Sequence, residues 1–195
     1  MPQQLEIEFK NMLTQLQYET LLKEFGIHPT AIVRQENHYF DTFNAQLKQH
    51  HSGLRIRIFP QSAECTLKQR ANDATHIETT VVLTVNEAQQ MLNSERAFPK
   101  EIERALKNLH VHVEQLSLFG SLTTNRVEVP YKQGLLIFDH SFYLQQQDYE
   151  VEYETDNEIV GIKIFHQFLQ QRNIPIQEAP KKLARLATSL KSLKK

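Results

Sequence analysis

The sequence predicts an α+β protein in which antiparallel strands are combined with helices. Three observations carry this prediction: short segments that alternate apolar and polar residues, helical segments opened by capping motifs, and turn residues between them. The chain has 195 residues, of which 40% are hydrophobic and 23% charged, as is ordinary for a globular protein. We therefore expect one domain covering residues 1–195.

The first elements are a strand and a helix. Residues 5–10 alternate apolar and polar side chains, which is the period of a half-buried strand. Thr14 and Gln17 form a capping box that opens a helix, and Gly26 suits the position just past its end. Further strands are predicted at residues 33–40, 53–59 and 64–70.

The middle of the chain is predicted to be helical, and strands then resume. Thr84 and Glu87 form a second capping box, leading into a helix through Leu92, and Pro99 opens another through Leu109. Strands follow at residues 117–119, 122–129, 134–142 and 148–155, with Gly120 as the turn between the first two. Apolar residues at helical spacing predict a helix over residues 157–171, and a basic helix is expected over residues 181–193.

The composition also bounds the partners and the compartment. A net charge of −1 argues against a dedicated nucleic-acid binder. Cys65 is the only cysteine, which fits a reducing compartment. No secretory signal is visible, and no apolar run approaches the ~20 residues of a membrane span. We expect a cytoplasmic protein without nucleic-acid or membrane partners, either a monomer or a homodimer.

Several predicted strands carry charge on one face. Side chains alternate across a strand, so Glu6, Glu8 and Lys10 point the same way. The same pattern pairs Arg55 with Arg57, and it puts Glu150, Glu152 and Glu154 on one face. These faces either lie in solvent, as in many antiparallel sheets, or line the interior of a closed barrel whose helices pack outside. Periodicity does not choose between the two arrangements.

Charge arithmetic favours the barrel interior. Five acids contribute −5: Glu6, Glu8, Asp139, Glu150 and Glu152. Seven bases contribute +7: Lys10, Arg55, Arg57, Lys68, Arg126, Lys182 and Arg185. Two divalent cations would bring the total to +6, which suits a ligand with several negative charges. Mg²⁺ and Mn²⁺ take carboxylate oxygens and are commonly bound together with phosphates, and arginine donates two parallel hydrogen bonds to phosphate.

Sequence motifs connect these residues to a family. Glu6, Glu8 and Lys10 form a Glu-x-Glu-x-Lys motif, and a late strand carries Glu150 and Glu152. The other motifs are Tyr39-Phe40-Asp41-Thr42, Leu54-Arg55-Ile56-Arg57, Thr66-Leu67-Lys68, and Lys182 with Arg185, where the family usually has serine in place of Lys181. With these motifs the chain resembles the CYTH proteins, or triphosphate tunnel metalloenzymes, which include class IV adenylyl cyclases and thiamine triphosphatase.

The resemblance implies an eight-stranded antiparallel barrel that forms a tunnel, and metal-dependent hydrolysis of inorganic or organic triphosphates. By this likeness Glu6, Glu8 and Glu152 ligate a metal, Mg²⁺ or Mn²⁺. Asp139 and Glu150 help to hold a second ion or the attacking water. The phosphate oxygens bind to Lys10, Arg55, Arg57, Lys68, Arg126, Lys182 and Arg185.

Two alternatives stay open at this stage. One is a class IV-like adenylyl cyclase that makes cyclic AMP from ATP, because cyclisation requires the same grip on a triphosphate. The other is a sensor that binds polyphosphate or a nucleotide without turnover.

Overall fold

The fold was obtained as a computed structural model, which describes residues 3–93 and 97–192. Its strands are β1 (Gln3–Leu13), β2 (Val33–Thr42), β3 (Ser52–Ile58), β4 (Ala63–Arg70), β5 (Thr75–Leu83), β6 (Leu116–Tyr131), β7 (Gly134–Tyr143) and β8 (Gln146–Thr155). They form a closed barrel in the order β1-β5-β4-β3-β2-β6-β7-β8. The predicted α+β class and eight-stranded barrel are therefore confirmed. That residues 1–195 form one domain stays a prediction.

The predicted division into strands was wrong in two places. Residues 75–83 form β5, which the sequence analysis left out, and residues 117–119 and 122–129 belong to the single strand β6. Gly120 lies inside β6 and is not a turn. These two errors cancel in the count of predicted segments, which is eight, as the resemblance also implies.

The helices are α1 (Gln15–Glu24), α2 (Gln46–Gln49), α3 (Val85–Leu92), α4 (Lys100–Asn108), α5 (Glu158–Gln171) and α6 (Lys182–Ser192). Both predicted capping boxes are present, at Thr14 with Gln17 and at Thr84 with Glu87. Leu193, the predicted last residue of α6, lies outside the described residues. Within residues 3–93 and 97–192, no helix combines the length and the apolar character that crossing a membrane requires.

The short helix α2 was not predicted, and Asp41 explains why the chain turns there. Its carboxylate accepts hydrogen bonds from the backbone N–H groups of Thr42 (2.7 Å), Leu47 (2.9 Å) and Lys48 (3.2 Å). A carboxylate that satisfies the free N–H groups at a helix start stabilises that start. Asp41 is therefore a structural residue of the Tyr-Phe-Asp-Thr motif.

The chain divides into two compact units, which we call the first unit (Met1–Leu5 and Gln35–Leu122) and the second unit (Glu6–Arg34 and Thr123–Lys195). In the first unit, helices α3 and α4 pack on one face of the sheet. The strands contribute Leu54, Ile56, Cys65 and Leu67 to this core, all at 0% exposure. Since side chains alternate, Arg55 and Arg57 lie on the opposite face.

The second unit is built on the same plan around a separate core. Helices α1 and α5 pack on one face of β1, β7 and β8, and Phe138, Val151 and Tyr153 are fully buried there. The ring of Phe165 on α5 stacks 6.3 Å from that of Phe9 on β1. Alternation again leaves the charged residues of these strands on the opposite face.

Gly161 allows α5 to approach the sheet closely. A Cβ atom at this position would fall on the Thr155 side-chain methyl carbon and 3.0 Å from Phe9 Cε2. Helix propensity alone would favour alanine over glycine by about 1 kcal/mol. Overpacking of a filled core costs about 1–3 kcal/mol, so the contact outweighs the propensity.

We predict that Gly161→Ala lowers the free energy of unfolding by about 1–2 kcal/mol, measured by urea denaturation. Gln167→Ala is the matched control, because Gln167 is an exposed residue of the same helix. It should leave stability within about 0.5 kcal/mol of the wild-type value. Equal or higher stability of Gly161→Ala would contradict the close packing described above.

Candidate active site

Strand register brings the charged residues of the second unit together. In the β1–β8 pairing Glu8 lies opposite Glu154 and Lys10 lies opposite Glu152. In the other pairings Asp139 on β7 lies opposite both Glu150 on β8 and Arg126 on β6. We call this surface the charged face. Its members are Glu6, Glu8, Lys10, Arg126, Asp139, Asp148, Glu150, Glu152 and Glu154 of the sheet, and Lys182 and Arg185 of α6.

Lys10 joins two carboxylates of the charged face. Its Nζ lies 2.9 Å from Glu8 Oε2 and donates a hydrogen bond of 2.9 Å to Glu152 Oε1. Burial alone would lower the pKa of this ammonium, but the carboxylates of Glu152 and Glu8 outweigh burial and raise the pKa. Lys10 is therefore a fixed positive charge on this face.

Arg126 and Asp139 form a buried bidentate ion pair. The Nε and Nη2 atoms of Arg126 donate to the two oxygens of Asp139 at 2.8 and 2.6 Å, and Asp139 is 0% exposed. Nη2 also donates to Glu152 at 3.0 Å. Burial would raise the pKa of Asp139, but the charges of Arg126 and Lys182 hold it well below its usual range. Asp139 is thus a carboxylate whose charge is already balanced.

Helix α6 brings two further cations to the charged face, one turn apart. Lys182 Nζ lies 2.8 Å from both Asp139 Oδ2 and Glu152 Oε1, and it also contacts Glu150 Oε1. Arg185 pairs with both oxygens of Asp148, at 2.8 and 3.1 Å, and its Nη2 lies 2.7 Å from Glu150 Oε2. The docking of α6 therefore depends on ion pairs as well as on packing.

The sequence analysis missed Asp148 on the charged face, and it placed Glu154 beside Glu150 and Glu152 without assigning it to the metal site. Both continue the alternation that identified Glu150 and Glu152, so the signal was present in the sequence. Asp148 also accepts a hydrogen bond of 2.6 Å from the Tyr143 hydroxyl. Burial and the neighbouring carboxylates of Glu6 and Glu152 raise the pKa of Glu154 to about 8. Negative charge is consequently crowded around Glu154.

Two groups of carboxylates on the charged face have the geometry of a metal site. Glu8, Glu152 and Glu154 form one, and Asp139, Glu150 and Glu152 form the other. In each group one oxygen per residue lies within 4.8 Å of the others. Hard divalent cations bind such oxygen sets, so these residues fit a divalent metal. Glu6 lies on the same face beside Glu154, and its place in the metal site stays a prediction.

The first unit carries a smaller charged cluster. Arg55 and Arg57 on β3 share the carboxylate of Glu64 on β4, with nitrogen–oxygen distances of 3.4 and 3.3 Å. Arg57 Nε also donates to the buried Asn37 Oδ1 at 3.0 Å. Lys68 on β4 lies 3.4 Å from Glu78 on β5. The predicted cations of this unit are thus held in place by side chains that the sequence analysis had not assigned.

Comparison with known proteins places this geometry in a family. The family model described as the CYTH domain matches residues 4–187. The chain belongs to the CYTH family. Proteins of this family use divalent metals, and the two carboxylate groups described above fit such ions. The resemblance to the CYTH family that the sequence motifs indicated is therefore confirmed over nearly the whole chain.

Individual relatives support the same membership. The Bacillus subtilis (strain 168) protein named "Putative triphosphatase YjbK" is 37% identical over 186 residues, which is 95% of each chain. A crystal structure from Bacillus halodurans, described as a putative adenylate cyclase, is 35% identical with a TM-score of 0.89 and covers 95% of this chain and 98% of that one. HpAC1 from Hippeastrum, 19% identical with a TM-score of 0.79 over 95% of each chain, shares the fold.

We predict that Asp139→Asn lowers the free energy of unfolding by about 3–5 kcal/mol, because it leaves the buried Arg126 and the partly buried Lys182 without their shared carboxylate. Urea denaturation of the metal-free protein measures the change. Asp73→Asn removes a carboxylate from an exposed ion pair with Arg70 and is the matched control. It should cost less than about 1 kcal/mol. A similar loss in both variants would mean that Asp139 is not a structural counter-ion.

Proposed function

We propose that this protein is a metal-dependent triphosphatase that hydrolyses the terminal phosphoric anhydride bond of inorganic or organic triphosphates. One observation carries the proposal: the charged face combines carboxylate groups that fit a divalent metal with four cations held at fixed positions. A triphosphate requires both, since a metal neutralises and orients the chain of phosphates while basic side chains bind the remaining oxygens.

The charge balance explains why a metal is required. The charged face holds seven carboxylates and four cations, a net charge of −3 when all are ionised. Such a surface repels a polyanion, and one bound divalent cation lowers this repulsion because it changes the net charge from −3 to −1. We assign this metal, Mg²⁺ or Mn²⁺, to Glu6, Glu8 and Glu152, and we add Glu154. Asp139 and Glu150 are the proposed residues for a second ion or for the attacking water.

The proposed phosphate ligands are the cations of both clusters. In the second unit they are Lys10, Arg126, Lys182 and Arg185, and in the first unit they are Arg55, Arg57 and Lys68. Arginine suits this role because its guanidinium donates two parallel hydrogen bonds to phosphate oxygens. In hydrolysis these charges stabilise the negative charge that develops as the terminal phosphoryl group leaves.

The relatives carry names for both activities, and cyclisation is the second candidate because it requires more of the site than hydrolysis does. The Bacillus subtilis relative is named "Putative triphosphatase YjbK", and the Bacillus halodurans structure is described as a putative adenylate cyclase. Hydrolysis requires that the site bind the triphosphate and a water molecule. Cyclisation needs in addition a site for adenine and activation of the ribose 3′-hydroxyl. Incubation with ATP, followed by separate assays of cyclic AMP and free phosphate, distinguishes the two activities.

We predict that Glu8→Gln lowers phosphate release from tripolyphosphate at least about 100-fold in Mg²⁺ or Mn²⁺, because it removes a charged metal ligand. The same assay on ATP, GTP and thiamine triphosphate shows which triphosphates are substrates. Glu36→Gln, at an exposed position of β2, is the matched control and should keep wild-type turnover. Normal turnover in a folded Glu8→Gln variant would contradict the metal assignment.

We predict that Arg57→Ala raises the KM for tripolyphosphate about 10-fold, which corresponds to about 1.4 kcal/mol of lost binding. Arg70→Ala removes an arginine that pairs with Asp73 and should leave KM within about 2-fold of wild type. Steady-state kinetics at fixed free Mg²⁺ measure both values. An unchanged KM for Arg57→Ala would remove the first unit's arginines from the phosphate site.

A further inference from the structure

An aromatic ring lies next to the arginines of the first unit. We call the side of β2 and β3 that carries Asn37, Arg55 and Arg57 the arginine face. Phe59 follows the end of β3, and the Arg57 guanidinium lies over its ring, 5.9 Å from the centroid. The intervening Ile58 packs the other way, against the core of the first unit. Phe59 is partly buried, so part of its side chain is accessible from the arginine face.

A buried amide lies at the same end of the arginine face. Strand register places Asn37 on β2 opposite Arg57 on β3. Gln35 precedes Asn37 by two residues, so it shares this face and lies one step further toward the Phe59 end of β3. Gln35 is 4% exposed, and among the described residues its Oε1 atom has no hydrogen-bond partner. Buried polar atoms are nearly always hydrogen-bonded, so this acceptor suits a donor that a ligand supplies.

We propose that Phe59 and Gln35 form a nucleobase subsite, and that the preferred substrates are nucleoside triphosphates whose base carries an amino group. The base stacks on the Phe59 ring, and its amino group donates a hydrogen bond to Gln35 Oε1. This inference depends on the proposed function, since it names the substrate class of the same site. An inorganic triphosphate would leave both groups unused.

The order of side chains along β3 gives the substrate a direction. Lys68 on β4 lies opposite Gly53, near the start of β3, and Arg55 and Arg57 follow toward its end. Residues on one face of a strand recur about every 7 Å, which is close to the spacing that a chain of phosphates can bridge. The proposed phosphate ligands of this unit therefore precede the Phe59 ring. A triphosphate whose terminal phosphate points toward Lys68 brings its nucleoside toward Phe59.

The two groups of the subsite contribute differently to binding. An aromatic ring stacks on any base, because every base has a π-face, so Phe59 supplies affinity without selecting among bases. Gln35 supplies the selection. A site built to hydrogen-bond a substrate N–H rejects the analogue that lacks it, since the buried acceptor is then left unpaired.

Steady-state kinetics on ATP and tripolyphosphate at fixed free Mg²⁺ test Phe59. We expect Phe59→Leu to raise the KM for ATP about 10-fold, because leucine is apolar but has no aromatic face. The KM for tripolyphosphate should stay within about 2-fold of wild type. Phe59→Tyr keeps the ring and should keep both values. Phe43→Ala removes a fully exposed ring from the same unit and is the matched control.

A comparison of ATP with purine riboside triphosphate, which lacks the amino group, tests Gln35. Wild type should have a kcat/KM for ATP at least about 10-fold above that for the analogue, and Gln35→Met should bring the ratio close to one. Gln61→Met changes an exposed glutamine of the same unit and should keep the wild-type ratio. Gln35→Asn, which withdraws the acceptor, replaces Gln35→Met if that variant does not fold by circular dichroism, and it should also lower the ratio.

Several results would overturn the proposal. An equal rise of both KM values in Phe59→Leu would mean that the ring only positions Arg57. Equal use of ATP and the analogue by wild type would remove the role of Gln35. Hydrolysis of tripolyphosphate but of no nucleoside triphosphate would overturn the subsite and leave the proposed function standing.

Failure of the proposed function is recognised separately, as a wild-type protein that hydrolyses no triphosphate at all. Calorimetric titration with ATP in Mg²⁺ then still tests the subsite. Phe59→Leu should weaken ATP binding about 10-fold while Phe43→Ala leaves it unchanged. Absence of ATP binding, or equal binding by wild type and Phe59→Leu, would overturn the inference.

Discussion

The second unit depends on the compensation of buried charge at Glu152. This carboxylate is 2% exposed, and an unpaired charge at that depth would cost several kcal/mol. Cations from three elements compensate it: Lys10 from β1, Arg126 from β6 and Lys182 from α6. Each of these cations also contacts a second acid, so the ion pairs form one network. Removal of any member leaves the charge of another member without one of its partners. The network fixes side chains that would otherwise lose considerable rotamer entropy when they bind a ligand.

Compensation at Glu152 also links the end of the chain to its beginning. Strands β1 and β8 pair along their backbones, which is enough to place Glu8 and Lys10 next to Glu152 and Glu154. Helix α6 has no place in the sheet, and Lys182 and Arg185 tie it to β7 and β8 through carboxylates. The segment before α6 is held separately, by the Asn11 side chain, which bonds to the backbone of Pro175 and Gln177. The cations of α6 are thus positioned by several independent contacts.

Much of the fold and most of the candidate site could be predicted from the sequence, because alternation and capping boxes are local signals. Strand β5 was missed although it is rich in β-branched residues, since its packed face includes the polar Thr79 and a capping box follows at Thr84. Strand β6 was divided because Gly120 resembled a turn. Alternation placed Glu150 and Glu152 on one face, but it gives no register. Only register and the docking of α6 show that Lys182 contacts Asp139, Glu150 and Glu152.

The structure also separates two roles of carboxylates that look alike in the sequence: some pair with buried cations, and others form a group that fits a metal. Asp139 and Glu150 are buried and saturated by cations, so their charge contributes to holding Arg126, Lys182 and Arg185 in place. Glu8 and Glu154 form, with Glu152, a group whose spacing fits a divalent metal, and burial together with the neighbouring carboxylates raises the pKa of Glu154. In the proposed triphosphatase the metal binds to Glu8, Glu152 and Glu154, and the phosphates approach cations whose positions Asp139 and Glu150 have already fixed.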